Sequence, residues 1–393
     1  MSSAFPVRLA ELLNRHPDVR LNPCRRDMIA EAVARREAMV AACGCLATWT
    51  PPESTGRSPQ DTVIVQRDES AGTIDWDSPN NLPIAPETFD MLLDDALATL
   101  GTKERIYVTD RVLDADSGHA LPVRTITDRA LFALFTDNMF RPIPPDIGRS
   151  VFVRTPFTLL VLPYDKLDRN RYEGRLRKLP PPNSSLTSNM VIAMDFDRRI
   201  GLVFGSAYCG SVKKLMFTVM NYLLPEHGIL PLHCSATEGQ SGDVTLLLGL
   251  SGTGKTSLSA DPRRKLLGDD EHSWGDSGIA NLENGCYAKL INLSPTKEPD
   301  IYHACFHEAS YLEHGAIVEN AMVYPDGRFD LDDERFTPNS RGSYPLSFLP
   351  NIKDPPISTH PRTILFLTAD ANGVLPPLAR LTREQAMLWF LMG

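Results

Sequence analysis

Apolar residues recur along this chain with two spacings, which predict a mixture of helices and strands. An interval of three to four positions is typical of one face of a helix, and a short apolar run bounded by turn residues is typical of a strand. The helical spacing occurs over residues 5–14, 25–42, 86–100, 213–224 and 381–392. The strand pattern occurs over residues 62–65, 105–108, 152–153, 157–162, 190–195, 200–204, 243–249 and 363–368, with shorter runs around Ile291, Val318 and Phe329. This alternation predicts an α/β fold.

Several local patterns refine that prediction. Residues 196–199 form a polar break between two strands and predict a hairpin. The run 363–368 is strongly apolar and predicts a strand that is buried on both faces. Thr382 precedes the last helix, and Gln385 follows three residues later, which predicts a capping box. The polar, basic segment 164–182 contains several prolines and predicts an exposed loop.

The most natural domain boundary lies near residues 225–240, just ahead of the strand at 243–249. A chain of 393 residues is long enough for two domains of ordinary size. We therefore expect an N-terminal, substrate-side domain over residues 1–228 and a C-terminal domain over residues 229–393.

Composition narrows the function classes. The chain has 40 Lys and Arg against 49 Asp and Glu, a net charge of −9, which disfavours binding to nucleic acid or to a membrane surface. Seven cysteines at irregular spacing indicate reduced thiols, several of them buried, and Cys43-Gly-Cys45 is too tight for a C-x-x-C metal site. The N-terminus lacks the apolar stretch of a signal peptide. We expect a cytoplasmic protein.

One motif points to a specific ligand. The stretch 249–256 fits G-x-x-x-x-G-K-[ST] in full and follows an apolar strand. Its glycines let backbone N–H groups turn inward toward an anion, while Lys255 reaches the outer phosphates and Thr256 offers a hydroxyl to Mg²⁺. The alternative is a glycine-rich turn without a ligand, but the full match favours a nucleoside triphosphate site. Its residues are Gly249, Ser251, Gly252, Thr253, Gly254, Lys255 and Thr256.

An acidic cluster lies shortly after this motif. The apolar pair Leu266-Leu267 leads into Asp269 and Asp270, the arrangement of strand ends that hold a nucleotide-bound metal. By itself the cluster is more typical of a solvated turn. The phosphate motif upstream favours the metal site.

Further motifs, in order along the chain, give a specific resemblance. They are Thr55-Gly-Arg-Ser-Pro59, Tyr208 with Lys213-Lys214, Met220-Asn-Tyr-Leu-Leu-Pro225, His233-Cys-Ser-Ala236, Leu250-Ser-Gly-Thr-Gly-Lys-Thr256, Gly268-Asp-Asp-Glu-His272, Gly285-Cys-Tyr-Ala-Lys289, Glu319-Asn320, Asn339-Ser-Arg-Gly-Ser-Tyr-Pro345 and Gly373-Val-Leu-Pro-Pro377. Together they resemble the ATP-dependent phosphoenolpyruvate carboxykinase family. The resemblance implies a two-domain fold with a P-loop in the C-terminal domain.

The resemblance also implies a reaction and a metal site. The family converts oxaloacetate and ATP to phosphoenolpyruvate, CO₂ and ADP, with ATP, Mg²⁺ and Mn²⁺ at the site. By resemblance, Lys214, His233 and Asp270 bind Mn²⁺, and Thr256 binds the Mg²⁺ that bridges the phosphates. Because lysine must be neutral to ligate a metal, we expect the nearby cation and desolvation to depress the pKa of Lys214.

Other roles follow from the same resemblance. Arg57 corresponds to the residue that holds the substrate carboxylate, and Tyr208 lies beside the substrate or CO₂. Arg341 neutralises the transferring phosphoryl group, and Glu319 belongs with it in the nucleotide site. The role of Lys213 stays open, and Glu271 and His272 are expected around the ligands rather than among them.

The chain departs from the family pattern in a few places. It stops where the family continues into a segment that completes the adenine pocket and a lid. A fragment, a second chain that completes the nucleotide pocket, and a shortened relative are all open explanations, as is the oligomeric state. Cys209 replaces a glycine, which predicts backbone strain, and Asn372 replaces an aromatic residue. His303, His307 and His314 are interpreted as solvated histidines rather than a zinc site.

These departures leave two further functions open. One is a kinase-like protein with another phosphate donor or acceptor, such as pyrophosphate. The other is a non-catalytic nucleotide-binding paralogue.

Overall fold

The computed structural model describes residues 4–181, 186–250 and 253–392, except for the side chains of residues 4, 256 and 257. The helices are α1 Ala4–Arg15, α2 Arg25–Ala34, α3 Asp68–Ala71, α4 Pro86–Gly101, α5 Ala130–Met139, α6 Cys209–Leu223, α7 Lys255–Ser259, α8 Pro299–Phe306, α9 Tyr311–His314 and α10 Arg383–Met392. Within the described ranges, no helix has the length and apolar character needed to cross a membrane.

Most of the strands belong to three sheets. In chain order they are β1 Val19–Leu21, β2 Met39–Val40, β3 Leu46–Thr48, β4 Thr62–Val65, β5 Leu82–Ile84, β6 Ile106–Leu113, β7 Leu121–Thr127, β8 Phe157–Leu162, β9 Val191–Asp195, β10 Ile200–Phe204, β11 Leu230–Glu238, β12 Val244–Gly249, β13 Lys265–Gly268, β14 Glu271–Gly275, β15 Gly278–Asn281, β16 Gly285–Lys289, β17 Ile317–Glu319, β18 Met322–Val323, β19 Phe329–Asp330, β20 Arg341–Pro345, β21 Ile357–Ser358 and β22 Thr363–Leu367. The prediction of a mixed α/β fold is therefore confirmed.

The first sheet is mixed, with strand order β1-β6-β7-β8-β10-β9-β4-β5. Helix α4 buries the face that its apolar spacing predicted, with Phe89, Leu92 and Leu100 fully enclosed. It packs in one apolar core with residues from α1, whereas α2, α5 and α6 contribute to a second core that also contains residues of this sheet. The predicted hairpin is present because β9 and β10 pair antiparallel.

The second sheet has the order β21-β15-β14-β11-β12-β22, with β13 also paired to β11. Strand β22 pairs in parallel with β12, so that Leu367 lies opposite Gly249. The prediction that this strand is buried on both faces was wrong: its residues are exposed or half-buried. The physical reason is that β22 lies at the edge of this sheet, with β12 as its partner.

The third sheet joins distant parts of the chain, in the order β16-β20-β17-β3-β2. Strand β3 pairs in parallel with β17, with Thr48 opposite Glu319. Strands β2 and β3, within residues 39–48, therefore form one sheet with strands that lie beyond residue 284. The division into domains at residue 228 stays a prediction.

Other sequence predictions differ from the structure in detail. The helix predicted over 25–42 ends at Ala34, because Arg36 adopts a left-handed backbone conformation with φ +58° and residues 39–40 form β2. Residues 152–153 and Ile291 lie in turns, not strands. The predicted capping box is confirmed, since Thr382 N–H donates to Gln385 Oε1 at 2.9 Å and Gln385 N–H donates to Thr382 Oγ1 at 3.3 Å.

Candidate active site

The glycine-rich loop lies between the strand and the helix that the sequence predicts. Strand β12 ends at Gly249 and α7 begins at Lys255. A Cβ on Gly249 would lie 2.6 Å from the carbonyl oxygen of Leu367, and Gly254 has φ +97°, so both positions favour glycine. Ser251, Gly252 and the side chain of Thr256 lie outside the described residues. Their roles in phosphate and metal binding stay predictions.

The first turns of α6 bring two lysines to a group of carboxylates. Lys213 Nζ donates to Glu283 Oε1 at 2.6 Å and lies 2.7 Å from Asp270 Oδ2. Lys214 Nζ donates to Glu271 Oε1 at 2.7 Å and to Asp270 Oδ2 at 3.0 Å. Both lysines therefore share Asp270, which lies in the turn between β13 and β14.

The carboxylates themselves form a compact set of oxygen donors. Oxygen atoms of Asp270, Glu271 and Glu283 lie within 4.8 Å of one another. His233 Nε2 lies 2.6 Å from Asp270 Oδ1, and the His233 side chain is 52% exposed. Imidazole and carboxylate are the donors that a divalent transition metal ion accepts, so the residues present fit such an ion. The structure thus brings together the predicted metal ligands Lys214, His233 and Asp270.

The charges of this group shift its pKa values strongly. Burial alone would raise the pKa of Asp270, but Lys213, His233 and Lys214 outweigh burial and hold that pKa well below its usual range. Burial alone would lower the pKa of Lys214, but Glu271 and Asp270 outweigh it and raise that pKa. These ion pairs stabilise the ammonium form of Lys214, and the depressed pKa expected beside a bound cation stays a prediction.

Lys255 belongs to the same electrostatic environment. Burial lowers its pKa, while Asp270, Cys234 and Asp269 oppose that shift. Cys234 follows the predicted ligand His233 on β11, and Asp269 precedes Asp270. Lys255, the first residue of α7, thus lies close enough to Asp270 for the charge of that carboxylate to affect its pKa.

A second group of residues surrounds Glu319 on β17. Glu319 is buried, and its Oε1 accepts a hydrogen bond from the Cys209 N–H at 3.0 Å. The Tyr287 hydroxyl donates to the other carboxylate oxygen of Glu319. The Tyr287 ring centroid lies 5.7 Å from the guanidinium carbon of Arg341 and 5.8 Å from the ring centroid of Tyr208. The structure thus brings together Tyr208, Glu319 and Arg341.

The Glu319 group includes Cys209, the residue that replaces a glycine of the family pattern. Cys209 is the first residue of α6 and has no left-handed backbone conformation. The prediction of backbone strain at Cys209 was wrong, because a helical position needs no glycine. Since Lys213 and Lys214 lie one turn further along α6, this helix links the Glu319 group to the carboxylates.

Arg57 lies in an exposed loop between two short 3₁₀ turns. The loop is tied to the Arg341 region through Asn339, whose Nδ2 donates to Thr55 O at 2.9 Å and whose Oδ1 accepts from Arg341 Nε at 3.0 Å. Within the described part of the chain, no carboxylate forms an ion pair with Arg57. The structure thus places Arg57 near Arg341 in the fold without engaging its guanidinium.

Sequence reasoning missed part of the carboxylate group. It left Lys213 open and did not consider Glu283, yet these two form a deeply buried pair, with side chains 4% and 5% exposed. Glu283 lies beyond the acidic motif, between Leu282 and Asn284, where no short pattern marks it. Only the packing of α6 against the second sheet reveals it.

Comparisons with known proteins give a consistent family likeness. A family model described as phosphoenolpyruvate carboxykinase matches residues 17–393. A protein of Geobacillus kaustophilus, named phosphoenolpyruvate carboxykinase (ATP), is 43% identical over 394 residues, covering 100% of this chain and 70% of that protein. A protein of Rhizobium rhizogenes with the same name is 44% identical over 375 residues, covering 95% of this chain and 66% of that protein. The chain thus spans about two thirds of the length of these relatives.

Proposed function

Because this chain belongs to the phosphoenolpyruvate carboxykinase (ATP) family, we propose that it converts oxaloacetate and ATP to phosphoenolpyruvate, CO₂ and ADP. One observation carries the proposal: Lys214 Nζ and His233 Nε2 lie 3.0 and 2.6 Å from the Asp270 carboxylate, beside the glycine-rich loop. Such a combination of metal donors and a phosphate loop suits the transfer of a phosphoryl group to an enolate.

We propose that Lys214, His233 and Asp270 hold Mn²⁺ and that Thr256 holds Mg²⁺ with the nucleotide. A divalent cation bound at the first site supplies positive charge to the enolate oxygen that decarboxylation creates. Lys214 must release its proton before it can ligate. Glu271 Oε1, 2.7 Å from Lys214 Nζ, is positioned to accept that proton.

The remaining residues act on the substrates. We propose that Arg57 binds a carboxylate of oxaloacetate in the bidentate geometry of a guanidinium. Tyr208 borders the space for substrate or CO₂. Lys255 contacts the outer phosphates, and Arg341 offsets the charge of the transferring phosphoryl group. Glu319 orients this region through its hydrogen bonds to Cys209 and Tyr287.

We also propose that the two expected domains, residues 1–228 and 229–393, meet at this site. Helix α6 ends before the boundary and supplies Lys213 and Lys214, while β11 and the β13–β14 turn supply His233 and Asp270. Substrate binding between two domains commonly accompanies closure of the cleft.

The test is a coupled assay for phosphoenolpyruvate with ATP, oxaloacetate and Mn²⁺. We expect Lys255→Ala to lower kcat/KM by about 100-fold or more, because it removes a positive charge that stabilises the transition state of phosphoryl transfer. Lys265→Ala is the matched control, since Lys265 lies exposed on β13 and should retain normal activity.

The outcomes separate the proposal from its alternatives. Metal-dependent turnover that fails only in Lys255→Ala supports it. Turnover with pyrophosphate but not with ATP would show another donor, and nucleotide binding measured by calorimetry without any turnover would overturn catalysis.

A further inference from the structure

Two thiols face each other in the turn between β2 and β3. The Sγ atoms of Cys43 and Cys45 lie 3.5 Å apart. Cys43 is partly exposed and Cys45 is buried, so an outside reagent reaches one thiol and not the other.

The turn itself is tightly held. Ala41 N–H donates to Cys45 O at 2.9 Å, and Ala309 N–H donates to Cys43 O at 3.1 Å. Gly44 has φ +98°, and a Cβ there would lie 2.1 Å from the Ala309 carbonyl oxygen. The backbone therefore keeps the two thiols on one side of a fixed turn.

A buried histidine, His314, lies close to the partly exposed Cys43 thiol. His314 has no exposed surface, and its ring stacks on His307 with centroids 4.1 Å apart. Ala316 N–H donates to His314 Nδ1 at 3.3 Å, which leaves Nε2 to carry the ring proton. Among the described residues, His314 Nε2 meets no hydrogen-bond acceptor with good geometry. This arrangement corrects the expectation that all three histidines of this region are solvated.

The electrostatics of the turn favour a thiolate at Cys43. The hydrogen bond from Cys45 is the largest influence and, together with His314, lowers the pKa of Cys43 to about 4 despite partial burial. The same neighbour and burial raise the pKa of Cys45. Thiolates are the nucleophilic form of cysteine, and an accessible thiolate beside a second thiol is typical of a redox-sensitive pair.

We propose that Cys43 and Cys45 form an oxidant-sensitive dithiol site that a hydroperoxide converts to a disulfide. In the first step the Cys43 thiolate attacks a peroxide oxygen, the O–O bond breaks, and hydroxide or alkoxide leaves and takes up a proton. In the second step the Cys45 sulfur attacks the Cys43 sulfenic acid, the S–O bond breaks, and the hydroxide that leaves takes the Cys45 proton to form water. The two sulfurs lose two electrons and the peroxide gains them. A dithiol reductant reverses the change.

A metal site is the other chemistry that thiols and histidines offer, and the geometry disfavours it. In the described ranges, the group whose donor atoms converge tightly enough to hold an ion is Asp270, Glu271 and Glu283, not the thiols. Cys305 is also nearby, but it is fully buried and burial raises its pKa.

The first experiment uses the intact chain and hydrogen peroxide. Trypsin releases residues 37–57, which contain Cys43 and Cys45 and no other cysteine. We expect this peptide to lose the mass of two hydrogens after mild peroxide and to regain it with dithiothreitol. Exposed Cys24 is the internal control. Iodoacetamide at slightly acidic pH should alkylate Cys43 about ten-fold faster than Cys24, because it reacts with thiolates. Equal rates at the two cysteines would overturn the proposal.

Variants assign the two roles separately. Cys45→Ser should still react with peroxide, and dimedone should then trap a sulfenic acid on Cys43. Cys43→Ser should leave Cys45 unoxidised at the same peroxide dose. His314→Gln should slow alkylation of Cys43, with circular dichroism to check its fold. Dimedone labelling of Cys45 in Cys43→Ser, or none on Cys43 in Cys45→Ser, would contradict the assignment. These readouts do not depend on the carboxykinase reaction.

Discussion

At the scale of single residues, Lys213 and Lys214 show how neighbours in sequence acquire different properties. The Lys213 side chain is 4% exposed and contacts Asp270 and Glu283, whereas Lys214 is 26% exposed and also lies over the Phe217 ring. Successive residues of a helix point about 100° apart, so one lysine enters the packed carboxylates and the other stays at the border. We interpret Lys213 as the counter-charge that permits several carboxylates in one buried place.

This interpretation predicts unequal effects of two matched substitutions. Lys213→Met should lower the free energy of unfolding by about 3–5 kcal/mol, because it leaves the buried Glu283 carboxylate without its cation. Lys214→Met should lower it by about 1–2 kcal/mol, because its carboxylate partners retain Lys213. Urea denaturation followed by circular dichroism measures both. Equal losses in the two variants would contradict the assigned role of Lys213.

Glu37 provides a pH-dependent prediction. Burial raises its pKa from 4.5 to about 7 even though the Leu131 N–H donates to Oε2 at 2.8 Å. Between these values the folded protein keeps a proton that the unfolded chain has released, so the free energy of unfolding falls as pH rises. We expect Glu37→Gln to remove a decrease of about 3 kcal/mol between about pH 5 and about pH 8.

The control for Glu37 is another carboxylate on the same arginine. Glu104 lies 3.3 Å from Arg35 and its side chain is 79% exposed. Urea titrations across the pH range should give wild-type slopes for Glu104→Gln and a flatter slope for Glu37→Gln. A Glu37→Gln slope that matches wild type would show that Glu37 titrates normally.

At the scale of secondary-structure elements, tight turns decide where the chain changes direction. Arg36 has a positive φ and separates α2 from β2, although the apolar spacing of a helix continues through Ala38. That spacing was therefore a poor guide beyond Ala34. By contrast, α4 and β4 matched their predictions closely, because a strong apolar face or run specifies an element locally.

Gly44 gives the element-scale prediction. Gly44→Ala would place a Cβ 2.1 Å from a backbone oxygen and require a left-handed conformation, so it should lower the free energy of unfolding by about 2–4 kcal/mol. Gly72 ends α3 with a helical backbone, and a Cβ added there would meet nothing within 4 Å, so Gly72→Ala is the matched control. It should change stability by less than about 1 kcal/mol in the same urea titration. A Gly44→Ala protein as stable as Gly72→Ala would contradict the turn geometry.

At the scale of the whole molecule, distant segments close around the site. Strand β3 pairs with β17, and Arg25 reaches both Asp137 on α5 and the carbonyl oxygen of Gly315. Helix α6 then carries lysines to the second sheet. Ligands that bind at this junction should stabilise the entire fold, because they bind the folded chain alone.

Metal binding tests that coupling. Mn²⁺ at about 100 times its dissociation constant should stabilise the wild-type protein by about 2.7 kcal/mol and raise its melting temperature. Asp270→Asn should largely lose this gain, because Asp270 contacts both Lys214 and His233. Asp326→Asn, at an exposed surface ion pair, is the control and should retain the gain. Equal stabilisation of both variants in calorimetry would place the metal elsewhere.

The sequence by itself determined the parts of this protein that depend on local spacing. The glycine-rich loop, the acidic pair after β13, the lysine pair on α6 and the capping box of α10 each lie within a few residues of one another, so a linear pattern suffices to find them. The family likeness follows from the order of these motifs.

The tertiary structure alone decided which of these groups meet and in what charge state. The position of Glu283, the burial of Lys213 and the raised pKa of Lys214 depend on packing between segments far apart in the chain. The physical reason is that desolvation and Coulomb interactions act through space, whereas a sequence pattern records only neighbours along the chain.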